Sequence, residues 1–241
     1  MTRGRVLIVA GSDSGGGAGI QADIKTVIAL GGYAATAIAA LTAQNTMGVF
    51  GILDVPPDFV AQQMALVLDD IGADAIKTGM LHRAEVIGAV CDEIEARAPG
   101  VPVVVDPVMV AKGGQALLQD AARQALRDRL LPLAAVLTPN VPEAEVLTGR
   151  AIVTDADVEA AARTLLSMGP KAILLKGGHR PGSVVRDLLV TRDGMDVFEA
   201  PRVETKHTHG TGCTLASAVA TGLAQGRSLK EAVARAHAYV Q

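Results

Sequence analysis

Val6-Leu7-Ile8-Val9-Ala10 runs directly into Gly11-Ser12-Asp13-Ser14-Gly15-Gly16-Gly17-Ala18-Gly19, and the chain continues as Ile20-Gln21-Ala22-Asp23-Ile24. An unbroken apolar run belongs to a strand covered on both faces, as in a parallel sheet. The glycine-rich segment reads as a turn, and the residues after it as a helix that carries Asp23. Similar short β-rich runs recur at 34–41, 73–77, 101–106, 134–137 and 172–176, with helical patterns between most of them. Val60, Met64, Val67, Leu68 and Ile71 form one apolar stripe, and Val86, Ile87, Val90, Cys91 and Ile94 another. Both have helical spacing, and Cys91 is therefore a packing residue. Thr154 with Asp157 and Ser228 with Glu231 have the spacing of capping boxes. The runs 185–190 and 197–200, joined around Arg192-Asp193-Gly194, predict an antiparallel hairpin. Together these predict an α/β chain: one three-layer αβα domain over 1–241, with a mostly parallel central sheet and a small antiparallel edge hairpin. The last pattern, Leu229, Val233, Ala236 and Val240, is still helical at Gln241 without a Gly or Pro stop. The expectation is a natural chain that continues, or a helix that frays there.

Composition narrows the function. The 241 residues are 49% hydrophobic, enough for a sizeable core. A net charge of −3 gives no reason to expect nucleic acid or an anionic membrane, and 2% aromatic residues leave no stacking platform for single strands. The 6–10 run is too short for a signal peptide or a membrane span. Two cysteines make no disulfide framework, so a soluble, reducing, cytoplasmic setting is expected.

The run His207-Thr208-His209-Gly210-Thr211-Gly212-Cys213 opens into a helix of small side chains. Unpaired N–H groups and the macrodipole at such a helix start attract anions, and glycines at 210 and 212 let a bulky anion approach the backbone. The same field favours a thiolate at Cys213. The run reads either as an anion cradle holding a nucleophile or base, or as a tight turn before a buried helix with a core cysteine. Open parallel sheets bind ligands beyond the carboxyl ends of their strands, so the residues there are candidates. The loop from Gly11 to Gly19 lacks Gly-x-Gly-x-x-Gly phasing and the Gly-Lys-Ser/Thr ending of a P-loop. It is either a phosphate site or a turn around a small ligand. Lys77-Thr78-Gly79-Met80 follows a later strand. Pro107 keeps Asp106 extended at another strand tip, with Lys112-Gly113-Gly114 just beyond. Asn140 can cap the helix that Pro142 begins, and Glu143 either supports a metal or complements the helix dipole. Lys176 stands before the turn Gly177-Gly178-His179. Asp106 and Glu143 could hold Mg²⁺ while Lys176 counters phosphate charge. His207, His209 and Cys213 could ligate zinc, but a structural site wants four ligands.

These residues carry a resemblance that extends from the first strand to the last helix. The stretches Ala10–Thr26 and Leu41-Thr42-Ala43-Gln44-Asn45-Thr46 resemble the hydroxymethylpyrimidine/phosphomethylpyrimidine kinases of thiamine biosynthesis, in the ribokinase-like superfamily. So do Lys77-Thr78-Gly79-Met80-Leu81, Asp106-Pro107-Val108-Met109, Thr138-Pro139-Asn140-Val141-Pro142-Glu143 and the His207–Cys213 run. Cys213 stands where the superfamily's Gly-Thr-Gly-Asp signature has aspartate, an exchange typical of this kinase and of some pyridoxal kinases. The resemblance implies two ATP-dependent phosphorylations, of 4-amino-5-hydroxymethyl-2-methylpyrimidine and then of its monophosphate. It implies Gln44 as reader of the pyrimidine edge, with Asp23, Met80 and Gly11 near the substrate. An amide offers both donor and acceptor to an aminopyrimidine, which suits Gln44. Asp106, Asn140 and Glu143 would arrange Mg²⁺ and nucleotide, Lys176 and Thr211 would contact phosphate, and Gly210, Thr211, Gly212 and Cys213 would form the anion hole. Apart from the resemblance, a thiol whose titration the helix start lowers toward neutrality suits a general base, so Cys213 is expected to act as one in the first phosphorylation. The resemblance further implies a cytoplasmic homodimer and a family chain that runs somewhat farther on the adenine side. Three other readings remain: a pyridoxal kinase, a catalytically silent pyrimidine-binding protein and a Rossmann dehydrogenase. The phosphate machinery argues against the second, and the missing fingerprint against the third.

Overall fold

The computed structural model describes residues 3–109, 117–205 and 207–241. In β1 (Arg5–Asp13), Val6, Ile8 and Ala10 enter one core while Leu7 and Val9 enter another. A strand's period of two feeds both faces, and both are covered, which is why this run is continuously apolar. α1 (Gly19–Ala29) returns to β2 (Tyr33–Asn45), which pairs in parallel with β1 from Arg5 opposite Tyr33 to Asp13 opposite Thr42. β3 (Gly48–Asp54) folds back antiparallel on β2, and α2 (Pro57–Asp70) then crosses to β4 (Ala75–Thr78) on the other side of β1. The winding reverses between β1 and β4, where open α/β sheets have their crevice.

From there the sheet grows outward through α3 (Ala84–Arg97), β5 (Val103–Val105), α4 (Asp120–Ala125) and β6 (Ala134–Leu137). α5 (Val141–Thr148), α6 (Asp155–Leu166) and β7 (Ala172–Leu175) follow. β8 (Val184–Thr191) and β9 (Met195–Pro201) are antiparallel, and α7 (Thr211–Ala224) and α8 (Leu229–Val240) complete the chain. The order is β3-β2-β1-β4-β5-β6-β7-β8-β9. Helices α2 to α6 cover one face and α1, α7 and α8 the other, giving the expected three layers.

Both expected capping boxes are present, Thr154 with Asp157 and Ser228 with Glu231. Cys91 is a packing residue with no exposed surface, and burial pushes its thiol up to about 12. The expected hairpin forms at β8–β9. The sequence reading missed β3, so antiparallel strands flank the sheet on both sides. Asn45 makes that turn without a glycine pair: its Oδ1 accepts from the amides of Met47 (2.8 Å) and Gly48 (3.3 Å). A register shift between Ala43 and Gln44 also interrupts the period of two that would mark the pair. The Lys112-Gly113-Gly114 turn lies outside the described residues. No helix among those described is long and apolar enough to cross a membrane.

Candidate active site

The carboxyl ends of β1, β4, β5, β6 and β7 and the first turn of α7 open on one cleft of about 710 Å³, within the range of small-molecule sites. Sheet pairing aims the tips. The Asp106 amide donates to the Thr78 carbonyl (3.0 Å), one residue past β5, and Lys176 bridges Asn140 just beyond β7 and β6.

One end of the cleft is built for an anion. Gly210 has φ +83°, and a Cβ there would lie 1.7 Å from the Gly17 carbonyl oxygen, so no other residue fits. It places α7 with no side chain capping its start, so the first-turn N–H groups face the cleft. The Lys176 ammonium is at hand. Its Nζ donates to Asp106 Oδ1 at 3.1 Å and would stand 3.2 Å from a Cβ on Gly212. Burial works against that charge, but Asp106 and Glu143 outweigh it and hold the lysine protonated. The Thr211 hydroxyl donates to the Thr208 carbonyl at 3.1 Å.

Glu143 caps its helix and faces the cleft at once. It closes a capping box with Asn140, accepting from the Asn140 amide (2.8 Å) while Asn140 Oδ1 accepts from the Glu143 amide (2.9 Å). It also lines the cleft beside Asp106 and Lys176. Burial pushes its carboxyl up to about 7, partly offset by Lys176. Asp106 is buried, and Lys176 and Thr138 donate only to its Oδ1 (3.1 and 3.5 Å). Two hard-oxygen carboxylates at a phosphate end fit Mg²⁺, which binds through one or two such groups and takes its other ligands from phosphate and water. Zinc has no comparable fit. No three His, Cys, Asp or Glu side chains among the described residues are placed to hold a metal, and His209 is bonded to Asp13 instead.

Two of the expected site residues, Cys213 and Asp23, are governed chiefly by burial. Cys213 is half-buried at the cleft floor, and desolvation of its thiol, only partly offset by Lys77, pushes it up to about 11. The helix-start field does not produce a thiolate at neutral pH in this structure, because burial outweighs it. Asp23 does not contact the cleft. It has no exposed surface, and both its oxygens accept from Lys77 Nζ (2.9 and 2.8 Å) while Ser217 Oγ donates to Oδ1 at 2.7 Å. The charge on Lys77 opposes its own burial and is held by Asp23. Lys77 is thus a site residue that the sequence reading left without a role. A lysine inside the apolar 73–77 run was the available signal.

The other end of the cleft has an apolar wall and a polar reader. Met80 and Gly11 adjoin, with the Gly11 amide donating to the Met80 carbonyl at 3.0 Å. Gln44 lines the cleft from β2, held by its backbone: its backbone N–H donates to Ser14 Oγ (2.9 Å), and its backbone carbonyl accepts from Ser14 Oγ (2.8 Å). The Gly11–Gly19 loop between these ends is not a phosphate cradle. Its Gly15, Gly17 and Ala18 amides all donate to the buried Asp13 carboxylate, at 2.7, 3.0 and 2.8 Å. Donors already used inside the loop leave it as a ligand-enclosing turn.

A family model described as phosphomethylpyrimidine kinase matches residues 13–241. The hydroxymethylpyrimidine/phosphomethylpyrimidine kinase of Streptomyces coelicolor is 50% identical, over 98% of this chain and 86% of the relative. The thiamine biosynthesis bifunctional protein ThiED of Geobacter sulfurreducens is 53% identical over 99% of this chain, which spans about half (48%) of that longer protein. Among solved structures, the phosphomethylpyrimidine kinase of Clostridium difficile superposes with a TM-score of 0.87 at 40% identity, covering 98% of this chain and 97% of the other. The Staphylococcus aureus pyridoxal kinase in complex with AMP-PCP and pyridoxal gives 0.89 at 34% identity, covering 100% and 87%. The architecture is the expected ribokinase-like one, and by the extent of these matches the chain belongs to the phosphomethylpyrimidine kinase family.

Proposed function

We propose that this chain transfers the γ-phosphoryl group of ATP to the hydroxymethyl oxygen of 4-amino-5-hydroxymethyl-2-methylpyrimidine, and then a second one to the phosphate of the product. The observation that carries this reading is the Lys176 ammonium at the uncapped start of α7, in one cleft with the Gln44 amide. Phosphoryl transfer passes through a loose transition state with charge on the equatorial oxygens, so it asks mainly for positioning and positive potential. The Gly210–Cys213 turn and Lys176 supply the potential, and Thr211 and Asn140 lie where nucleotide phosphates would pass. Asp106 and Glu143 would hold Mg²⁺, which neutralises phosphate charge when bound.

The acceptor oxygen forms its bond to phosphorus as the bond to ADP breaks, and the hydroxyl proton passes to an oxygen of the transferred phosphoryl group and from there to water. With its thiol neutral, Cys213 orients that oxygen through a hydrogen bond rather than taking its proton. The second acceptor is a monoester whose second ionisation lies near ~6, so it enters largely deprotonated and needs no base. Gln44, Met80 and Gly11 form the heterocycle's seat. We place the reaction in the cytoplasm, in keeping with the free cysteines Cys91 and Cys213. The active unit is a homodimer, joined where Met47, Phe50 and Leu53 stand 80%, 74% and 65% exposed around β3. Pyridoxal is the second reading, favoured by the likeness to the S. aureus pyridoxal kinase.

Gln44→Leu tests the seat. Losing a reciprocal hydrogen-bond pair costs on the order of 1–3 kcal/mol, so the aminopyrimidine should weaken by about tenfold or more while ATP affinity stays the same. Equal weakening of both, or none, removes Gln44 from recognition.

A further inference from the structure

Asp13 ends β1 with no exposed surface, and its carboxylate joins two segments that are remote in sequence. From the glycine loop it accepts the amides of Gly15, Gly17 and Ala18. From the turn that feeds α7 it accepts the His209 ring, with Nε2 2.9 Å from Oδ2. Burial alone would raise the Asp13 carboxyl, but His209 and the three amides outweigh it and hold it low. An ionised carboxylate only accepts, so His209 Nε2 carries the proton, and the bond is charge-assisted and correspondingly strong. The loop's near side is tied as well, since the Asp13 amide donates to Gln21 Oε1 at 2.8 Å.

The two segments meet at two further points. The Gly17 carbonyl lies directly under Gly210, and the Gly19 amide hydrogen-bonds the Cys213 thiol. The first is a backbone approach, and the second is a single bond to one thiol. The His209 ring, packed on Gly17 where a Cβ would come within 2.7 Å of its Cδ2, is a side chain that fixes the register between them.

We propose that His209 and Asp13 are positioning residues for phosphoryl transfer: their hydrogen bond sets the distance between the loop enclosing the acceptor and the turn cradling the transferring group. This rests on the kinase reading above. Reacting atoms must approach to within about 3–3.5 Å, and a displacement of roughly 1 Å can cost a hundredfold in rate, so a bond defining this gap acts on turnover rather than on affinity.

Two amide variants of the full chain decide it. His209→Gln places an N–H near the position of Nε2, whereas His209→Asn falls short of Asp13. With Mg-ATP and the aminopyrimidine, His209→Asn should lose kcat by ~10-fold or more in both phosphorylations, with both KM values nearly unchanged. His209→Gln should recover most of it. Amide hydrogen exchange in the 13–19 loop should accelerate in His209→Asn and stay at the wild-type rate in His209→Gln. Unchanged kcat in His209→Asn, equal loss in both variants, or unchanged loop exchange would each overturn the proposal. The exchange measurement needs no turnover. Slow wild-type loop exchange with no wild-type activity on the pyrimidine would therefore contradict the substrate reading and leave the Asp13–His209 contact supported.

Discussion

Cys213 sits where two electrostatic effects compete. The first turn of α7 and the Lys77 ammonium favour a thiolate, while removal of the thiol from water disfavours it, and the outcome near 11 says that burial is the larger. A raised thiol value means that the neutral form persists as pH climbs and that the reactive anion appears only toward pH 11. Alkylation by iodoacetamide should therefore be slow at neutral pH and still be rising above pH 9. Cys91 does not confuse the measurement, because it is fully buried with its thiol at about 12. A rate that levels off near neutrality would restore Cys213 as a thiolate base. The residue and its place at a helix start are legible in the sequence. The sign of the shift is not, because it depends on burial of the sulfur and on Lys77, Asp23 and Asp106, which the fold brings near it from distant parts of the chain.

At the scale of elements, Lys77 of β4, Asp23 of α1 and Ser217 of α7 tie sheet and helices together beneath the cleft. Both charges have no exposed surface. Removing one partner of such a pair leaves the other buried and uncompensated, at a cost of about 3–5 kcal/mol. Asp23→Ala should lower unfolding stability by that amount in urea titration, and Asp23→Leu combined with Lys77→Met should recover much of it. A well-folded Asp23→Ala with a raised KM for the pyrimidine would return Asp23 to the substrate. Local patterns explain which elements were legible. The capping boxes at Thr154 and Ser228 and the apolar run of β1 are short-range signals, and they held. β3 was hidden by its register shift and by a turn built from Asn45 rather than glycine. The partner of Asp23 was not legible, because a carboxylate on an amphipathic helix gives the same pattern whether it meets a ligand or a buried lysine. The strand-end residues Asp106, Asn140, Glu143 and Lys176 were legible because parallel topology gathers every carboxyl end at one edge.

At the scale of the whole molecule, the β2–β3 edge carries apolar groups that the described residues leave exposed. Leu41 and Leu53 oppose each other across β2 and β3, and both are exposed, with Phe50 and Met47 beside them. Apolar groups gathered on an edge hairpin mark an interaction site. Phe50→Glu combined with Leu53→Glu should convert a dimer to a monomer in sedimentation velocity while leaving the fold intact. A wild-type protein that sediments as a monomer, or a variant that still dimerises, would move the contact elsewhere. The identity of the acceptor is measured by one competition. The protein is incubated with Mg-ATP and equal amounts of the aminopyrimidine alcohol and pyridoxal, and the products are followed by mass spectrometry. The pyrimidine monophosphate should appear first, then the diphosphate, with pyridoxal largely unconsumed. Accumulation of pyridoxal phosphate while the pyrimidine stays unphosphorylated would contradict the proposed acceptor.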